Sequence, residues 1–161
     1  MVKELRERTG AGVMDAKRAL DAANGDMGKA EKALAEKGMA SAAKKAGRQT
    51  SEGVIASYIH AGSRMGAMVE LNCETDFVAR TPEFQQLARN LAMQIAAMSP
   101  RFLDRAHVPA GADNVKDADL LLEQAYIREP STKIADLIKT TVAKVGENIQ
   151  VRRFARFALG E

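Results

Sequence analysis

Residues 66–80, which read GAMVELNCETDFVAR, decide the fold of this chain. Apolar residues alternate with a second set as far as Cys73, and a two-residue period is typical of a strand with one face against a core. Thr81 then suits a helix N-cap, and Pro82 suits the first helical position, whose N–H has no intrahelical partner. The stretch therefore predicts a strand, a short connection over 75–80, and a helix.

Asp76 and Phe77 lie in that connection, and the residues allow two interpretations. In one, Phe77 folds under the sheet as core filler and Asp76 holds the turn through its own backbone, since large apolar residues are usually buried. In the other, Phe77 projects from a rigid elbow as an anchor for a partner, because aromatic residues are enriched at binding hot spots. Physical chemistry leaves both interpretations open at this point.

Length and composition predict a globular, mildly basic protein. The 161 residues are enough to bury roughly 70 % of the unfolded surface. The net charge of +3 is weaker than a dedicated nucleic-acid binder usually carries. The single cysteine, Cys73, excludes an internal disulfide and a multi-cysteine zinc site. No apolar run approaches the ~18 residues of a membrane span, so we expect a cytoplasmic protein without membrane contacts.

The N-terminal residues, 1–38, predict a module of three short helices. Apolar residues recur at helical spacing over 2–8 and 13–23, and a glycine-containing turn separates these two segments. Asp26 is the expected N-cap of the third helix, which we expect to end at Gly38. The apolar positions are mostly alanine, which predicts a small core.

The next residues, 39–53, predict a linker, because alanine and lysine favour a frayed helical hinge over a coil. The main domain is expected over 54–161. It opens with strands over 54–60 and 64–73 joined by a hairpin turn. A strongly amphipathic helix follows over 82–98. Its predicted inner face consists of Phe84, Leu87, Ala88, Leu91, Ile95 and Met98.

The C-terminal part predicts one more helix and one more strand. Residues 101–116 resemble a loop, and 117–129 fit either a short helix or an irregular segment. A helix is expected after Pro130 and Ser131 and is closed by Gly146. The whole pattern predicts an α+β fold, with a three-stranded antiparallel sheet and helices packed on one face.

The last predicted strand, 149–159, contributes residues to the sheet face that no helix covers, which we call the open face. Strict alternation assigns Ile149 and Phe157 to one face and Phe154 to the other. Met68 and Phe154 would then lie on the face that no helix covers. An uncovered apolar sheet face predicts a partner.

Three stretches resemble signature sequences of the bacterial elongation factor Ts family. They are VKELRERTGAGVMDAK at 2–17, VELNCETDFVAR at 69–80 and GENIQVRRF at 146–154. All three occur in the expected order and reach across the chain. The resemblance implies an N-terminal module similar to the ubiquitin-associated fold. It also implies a role in translation elongation, as a non-catalytic guanine-nucleotide exchange factor for the GTPase elongation factor Tu.

The resemblance implies which residues contact the GTPase. Asp76 and Phe77 would intrude beside the partner's magnesium site, which favours the anchor interpretation. The residues alone leave open whether Val13 and Met14 are both exposed, whereas the resemblance implies an apolar docking patch. The expected partner-binding residues are Arg6, Val13, Met14, Lys17, Lys45, Asp76 and Phe77. No cofactor is expected, because such a factor acts on Mg-GDP bound to its partner.

The chain also departs from parts of the family pattern. Long members have two similar half-domains, whereas this chain has room for one, and short members pair two chains through the sheet. We therefore expect a homodimer that uses Met68 and Phe154. Some short members carry a linking cysteine in the last strand where this chain has Ala155, so the dimer would be non-covalent. The region 115–122 is shorter than the family pattern predicts.

Three other functions remain as alternatives. An enzyme is disfavoured because His60 and His107 are isolated, and the sequence has neither a catalytic triad spacing nor a phosphate loop. Residues 152–157 interleave arginine and phenylalanine as nucleic-acid stacking platforms do, although Arg152 and Arg156 could equally lay their stems over apolar surface. Ubiquitin-like binding by the N-terminal module is a fold analogy alone.

Overall fold

A computed structural model describes the whole chain, Met1–Glu161, and has the predicted α+β architecture. Three helices precede an antiparallel sheet that further helices cover on one face. The helices and strands in chain order are α1 (Val2–Thr9), α2 (Val13–Ala22), α3 (Met27–Lys45), β1 (Glu52–Ile59), β2 (Met65–Cys73), α4 (Asp76–Ala79), α5 (Pro82–Met98), β3 (Ala125–Tyr126), β4 (Glu129–Lys133), α6 (Ile134–Val145) and β5 (Ile149–Ala158).

The N-terminal module, which we define as α1 to α3, has the three predicted helices. Gly10 ends α1 with a φ of 70°, a left-handed conformation that glycine adopts without a Cβ penalty. Asp26 caps α3, since its side chain accepts a hydrogen bond from the backbone N–H of Lys29 at 3.0 Å. The module buries a small cluster made of Leu5, Ala16, Leu20 and Ala30.

The predicted end of the third helix at Gly38 is wrong, because α3 continues without interruption to Lys45. Ala42 near its end is buried in the main core. A Cβ built on Gly38 would lie 3.1 Å from the Cβ of Ala143, so the glycine permits close packing of α3 on α6. That contact outweighs the ~1 kcal/mol helix penalty of glycine. A packed helix thus occupies the first part of the predicted hinge.

The main sheet has the strand order β1-β2-β5, and all its neighbours are antiparallel. The alternation in β2 is as predicted: Val69, Leu71 and Cys73 are buried, while Met68 is exposed. Helix α5 begins at the predicted cap, where the backbone N–H of Phe84 donates to Thr81 Oγ1 at 3.3 Å. Its apolar stripe packs on the buried face of the sheet.

Two predictions for the main domain, over 54–161, are wrong in detail. Met98, at the last position of α5, is 46 % exposed instead of facing the core. In β5, the pairing passes from Arg153 opposite Glu70 to Val151 opposite Leu71, which leaves Arg152 as the extra residue of a β-bulge. A one-residue slip exchanges the faces of a strand. Phe154 therefore packs against the core on the helix-covered face, and it is not on the open face.

The segment that the sequence left undecided forms short 3₁₀ turns over 117–119 and 121–123, followed by the β3–β4 hairpin. Buried Gln94 of α5 holds this hairpin. Its amide donates to Gln124 Oε1 and to the Ala125 carbonyl, and it accepts from the backbone N–H of Ile127 at 2.9 Å. The helices of this fold include none long and apolar enough to cross a membrane.

Candidate functional site

Phe77 is presented on a single helical turn, α4, between β2 and α5. Its side chain is 80 % exposed, while its neighbours Val78 and Ala79 are buried. The interpretation of Phe77 as core filler is therefore wrong. The two buried neighbours attach the turn to the core, and the aromatic ring points away from it.

The start of α4 is held by the turn between α6 and β5. Glu147 Oε2 accepts from the backbone N–H groups of Glu74 at 3.1 Å and Thr75 at 3.0 Å. Its other oxygen accepts from the Thr75 hydroxyl at 2.7 Å. The same hydroxyl accepts from the Val78 N–H at 3.4 Å and so caps α4. The three bonds to the Glu147 carboxylate are charge-assisted, and such bonds are stronger than bonds between neutral groups.

The other end of α4 is held by side chains of α5 and its cap. Thr81 Oγ1 donates to the Val78 carbonyl at 2.8 Å, and Gln85 Nε2 donates to the Ala79 carbonyl at 2.7 Å. Asp76 pairs with Arg80 at 2.8 Å on the turn's surface. Exposed pairs of this spacing contribute only about 0.3–0.5 kcal/mol. The Asp76 carboxylate can therefore exchange this partner for another at little cost.

We call residues 74–80, which connect β2 to the cap of α5, the elbow. Cys73 lies at the end of β2, directly before the elbow, and it is buried. Burial, with the Glu147 carboxylate nearby, raises the pKa of the Cys73 thiol to about 11. Its sulfur lies 3.2 Å from the carbonyl oxygen of Thr75, to which the S–H donates. The thiol is therefore protonated at neutral pH and is unsuited to nucleophilic or redox chemistry.

The N-terminal module presents a second apolar feature at the start of α2. Val13 and Met14 are 51 % and 58 % exposed, so neither fills the module's core. Arg6 and Lys17 are exposed nearby in sequence, and Arg6 Nε donates to the Ala11 carbonyl at 3.3 Å. We call Val13, Met14, Arg6 and Lys17 the N-terminal patch.

Lys45 has a different environment from the other predicted contact residues. It is half-buried in the last turn of α3, and its ammonium donates to the hydroxyl and carbonyl of Ser41. Its neighbour Lys44 is exposed. A contact of Lys45 with a partner would compete with these internal hydrogen bonds.

Helix α3 connects the module that carries the N-terminal patch to the domain that carries Phe77. Its first half packs in the N-terminal module, and its second half packs on α6. Beyond its end, Asn148 Nδ2 donates to the Arg48 carbonyl at 2.8 Å and to the Ala46 carbonyl at 3.3 Å. The N–H of Asn148 donates to Glu74 Oε1 at 2.8 Å. The segment after α3 is thus tied to the elbow that carries Phe77.

The open face of the sheet is apolar at its centre and at one end. Met68 pairs with Ser57 and Ala155, and Gly66 pairs with Ile59 and Phe157. Five large apolar residues at or next to this face are exposed: Ile55, Ile59, Met68, Phe157 and Leu159. Phe157, at 77 %, takes the place that the sequence assigned to Phe154. The bulge at Arg152 accounts for the exchange.

The arginine-aromatic platform, which the sequence left as an alternative, does not form. Arg156 lies on the helix side, where its guanidinium donates to the Ala96 carbonyl and to Glu161. Arg153 pairs with Glu70 at 2.8 Å, which holds the pKa of that carboxyl below its usual range. Phe154 and Phe157 lie on opposite faces. No group of three or more metal-binding side chains is arranged to hold an ion.

Sequence reasoning missed Glu147 and Asn148 as contributors to the elbow. Their neighbour Ile149 pairs with Cys73, so the β2–β5 register places them opposite Glu74 and Thr75. A three-stranded antiparallel sheet was predicted, but neither the pairing of β2 with β5 nor its register was. Glu74 and Glu147 lie just beyond the last ladder pair, Cys73–Ile149. With the register known, their carboxylates would have been expected to accept from the backbone N–H groups that the ladder leaves unpaired there.

Comparison with known proteins agrees with the three signature stretches. The family model for Elongation factor TS matches residues 25–125. A protein named Elongation factor Ts from Carboxydothermus hydrogenoformans is 49 % identical over 191 aligned positions, which cover 100 % of this chain and 88 % of the relative. Its counterparts from Anaeromyxobacter sp. strain K and Desulfosudis oleivorans are 48 % and 47 % identical, with 100 % of this chain and 87 % and 96 % of the relative covered.

The alignment of 191 positions is longer than the chain's 161 residues, so the relatives contain internal residues that this chain lacks. The matched region includes β1, β2 and the elbow with Phe77. Identity of nearly one half over the full chain is far above what shared fold alone would require. The chain therefore belongs to the elongation factor Ts family.

Proposed function

We propose that this protein is the guanine-nucleotide exchange factor of elongation factor Tu and that the Asp76-Phe77 loop promotes GDP release. One observation carries the proposal. Phe77 is exposed on a turn whose neighbouring residues are buried and whose two ends are hydrogen-bonded to the core. Burial of a rigid aromatic anchor in a partner is the usual source of binding energy at a hot spot.

Exchange follows from negative coupling between the factor and the nucleotide. Each weakens binding of the other by the same factor, so a bound factor speeds the release of GDP. Because the factor leaves unchanged at the end, it does not alter the equilibrium between the GDP and GTP forms of the partner. Mg²⁺ is the largest local charge in such a nucleotide site. Phe77 would displace the partner groups that orient the metal's ligands, and Asp76 would hold the displaced arrangement by accepting hydrogen bonds. The chain needs no cofactor of its own and catalyses no covalent step.

The N-terminal patch would supply affinity for the GTPase. Val13 and Met14 offer apolar surface, and methionine adapts to irregular partners. Arg6 and Lys17 would add electrostatic steering, which acts on the association rate. Lys45 would contact the partner only after it releases Ser41. Because translation takes place there, we place the protein in the cytoplasm.

Release of a fluorescent GDP from elongation factor Tu, followed by stopped flow, tests the proposal. The wild-type chain should accelerate release strongly, and Phe77→Ala should reduce the acceleration by about tenfold or more, because loss of about 1.4 kcal/mol of interaction made only as GDP leaves lowers the rate tenfold. The matched control is Ile127→Ala, because Ile127 is also an exposed apolar residue but lies on the β3–β4 hairpin, outside both α4 and the open sheet face. Absence of acceleration by the folded wild-type chain contradicts the proposal.

We also propose that two copies pair through the open sheet face as a non-covalent homodimer. Met68 lies at the centre of this face, and Ile59 and Phe157 lie at one end. Contiguous exposed apolar surface of this kind marks an association site. Ala155 lies beside Met68, and the only cysteine is buried, so no disulfide can link the copies.

Analytical ultracentrifugation tests the dimer. Met68→Glu should shift the chain to a monomer, because pairing would bury two unpaired carboxylates. Ile127→Glu is the control, since Ile127 is 44 % exposed on the β3–β4 hairpin and away from this face. A wild-type chain that sediments as a monomer contradicts pairing through the sheet, whatever its exchange activity.

A further inference from the structure

We propose that Glu147 is a positioning residue for exchange: its carboxylate fixes α4, so that Phe77 is held in one orientation before the partner binds. The inference rests on the exchange function proposed above and deepens it. It concerns a residue outside the Asp76-Phe77 loop and outside the N-terminal patch. Glu147 lies in the turn that joins α6 to β5.

Helix α4 cannot hold its own conformation. It contains four residues, and closing a first helical turn is unfavourable in an isolated chain. Two backbone bonds close it, from Ala79 N–H to the Thr75 carbonyl and from Arg80 N–H to the Asp76 carbonyl, both at 3.2 Å. The exposed ring of Phe77 adds no packing that could fix its direction. The orientation of Phe77 therefore depends on what holds the backbone of the turn.

Glu147 supplies three of the contacts that hold it. The β2–β5 ladder ends at the pair Cys73–Ile149, and beyond it the carboxylate takes over from the backbone. It accepts from the N–H groups of Glu74 and Thr75 and from the Thr75 hydroxyl. Because that hydroxyl donates to the carboxylate, its lone pairs are free to accept from the Val78 N–H. The carboxylate thus orients the cap of α4.

Reciprocal bonds strengthen the connection. Glu74 Oε1 accepts from the backbone N–H of Asn148, and the side chain of buried Asn148 holds the chain just after α3. Glu74 Oε1 also lies 3.6 Å from the guanidinium of Arg48. We call Glu74, Thr75, Glu147 and Asn148 the clasp. It joins the end of β2, the start of β5 and the segment that follows α3.

The clasp would act by preorganisation. A residue that must be ordered during binding loses backbone conformational entropy, and this loss weakens binding. A loop that is already fixed avoids this cost and reaches the nucleotide site in the productive geometry. Loss of the clasp should therefore reduce exchange after docking more than it reduces docking, because the N-terminal patch lies elsewhere on the chain.

GDP release measured against factor concentration tests the inference. Glu147→Gln replaces one acceptor oxygen by a donor, and Thr75→Val removes the hydroxyl. Each should lower the saturating rate about tenfold, as expected from loss of charge-assisted hydrogen bonds, while the half-saturating concentration changes less than about twofold. Thr75→Ser keeps the hydroxyl and should retain the wild-type rate. Asp119→Asn is the control, because Asp119 also accepts from a backbone N–H, that of Lys116 at 2.9 Å.

Two outcomes overturn the inference. The first is a Glu147→Gln protein with lowered thermal stability and an unchanged saturating rate, which would make the clasp a stabilising element only. The second comes from hydrogen exchange of the wild type and Glu147→Gln chains without partner. Faster exchange of the Val78 and Ala79 amides supports positioning, and unchanged exchange contradicts it. A wild-type chain that fails to accelerate GDP release from elongation factor Tu would refute the proposed function. Hydrogen exchange would still decide whether Glu147 fixes α4.

Discussion

The N-terminal module and the sheet domain, which we take as the elements from β1 to β5, are stabilised in different ways. The buried apolar cluster of the module has four residues, two of them alanine, while the main cluster has 21, of which only Ala42 comes from the module. The module adds polar contacts at its surface, such as the Asp26 cap and the Asp15–Lys37 pair at 2.6 Å. It also shares α3 with the larger core. Packing holds the sheet domain, whereas the module depends on its attachment.

The two candidate surfaces, the N-terminal patch and α4 with Phe77, differ in the same way. The N-terminal patch lies on the part of the molecule with the smaller core, whereas Phe77 is attached to the larger core through Val78 and Ala79. A docking surface tolerates adjustment, since apolar contacts are not directional. A residue that must displace groups around a metal needs a fixed position. The stability of each region suits the task that we propose for it.

Substitution in the large core should have the greatest effect on stability. Phe84→Ala removes a fully buried ring beneath the sheet and should lower the free energy of unfolding by about 3–5 kcal/mol. Urea denaturation followed by circular dichroism measures this loss. A loss below about 1 kcal/mol would show that the sheet domain does not depend on this packing.

Separation of α3 from α6 should have an intermediate effect. Gly38→Leu places a side chain where a Cβ alone already lies 3.1 Å from Ala143, and overpacking of this kind costs about 1–3 kcal/mol. Hydrogen exchange should show the greatest loss of protection in the module. The control, Gly28→Ala, meets only the Asp26 carboxylate at 3.6 Å and should leave stability unchanged or slightly higher. Equal effects of both substitutions would argue against attachment through this contact.

Acid should loosen the module before it loosens the sheet domain. A hydrogen bond from Lys37 and its charge lower the pKa of Asp15, and the Lys29 N–H lowers that of Asp26. Both carboxylates therefore stabilise the fold above their unfolded pKa of about 3.9, and this stabilisation is lost as pH falls through the lower folded values. Arg153 lowers the pKa of Glu70 in the sheet domain in the same way, so the module loosens first because its apolar core is smaller. NMR of Leu5 and Phe84 should report the difference. Asp26→Asn should reduce the pH dependence, and loss of both signals in one transition would contradict independent loosening.

The smallest expected effect concerns Cys73. Since burial raises its pKa to about 11, an alkylating reagent at pH 8 should modify the native chain far more slowly than the urea-unfolded chain. Mass spectrometry gives both rates. Equal rates would mean that the end of β2 opens readily, and a fixed elbow would then be untenable.

The fold was predicted where local pattern and tertiary packing agree. The β2 alternation, the Thr81 cap and the amphipathic stripe of α5 each follow from neighbouring residues. The β5 faces were wrong after Arg152, because a bulge depends on the partner strand. The continuation of α3 through Gly38 was missed because its contact with Ala143 lies far away in sequence.

The candidate site was predictable only in part. The residues alone did not decide whether Phe77 is buried in the core or exposed as an anchor. The resemblance to the elongation factor Ts family favoured the exposed position. The clasp could not be predicted, because Glu74 and Glu147 meet only when the register of β2 and β5 is known. Long-range register is the information that local periodicity lacks.

The most direct test of the account compares Phe77→Ala with Met14→Ala in GDP release from elongation factor Tu over a range of factor concentrations. If the two regions divide exchange and docking, Phe77→Ala lowers the saturating rate with little change in the half-saturating concentration. Met14→Ala should do the opposite, raising the half-saturating concentration and leaving the saturating rate near that of the wild type. Substitutions that change the same parameter, or a Phe77→Ala chain with the wild-type saturating rate, would contradict the account.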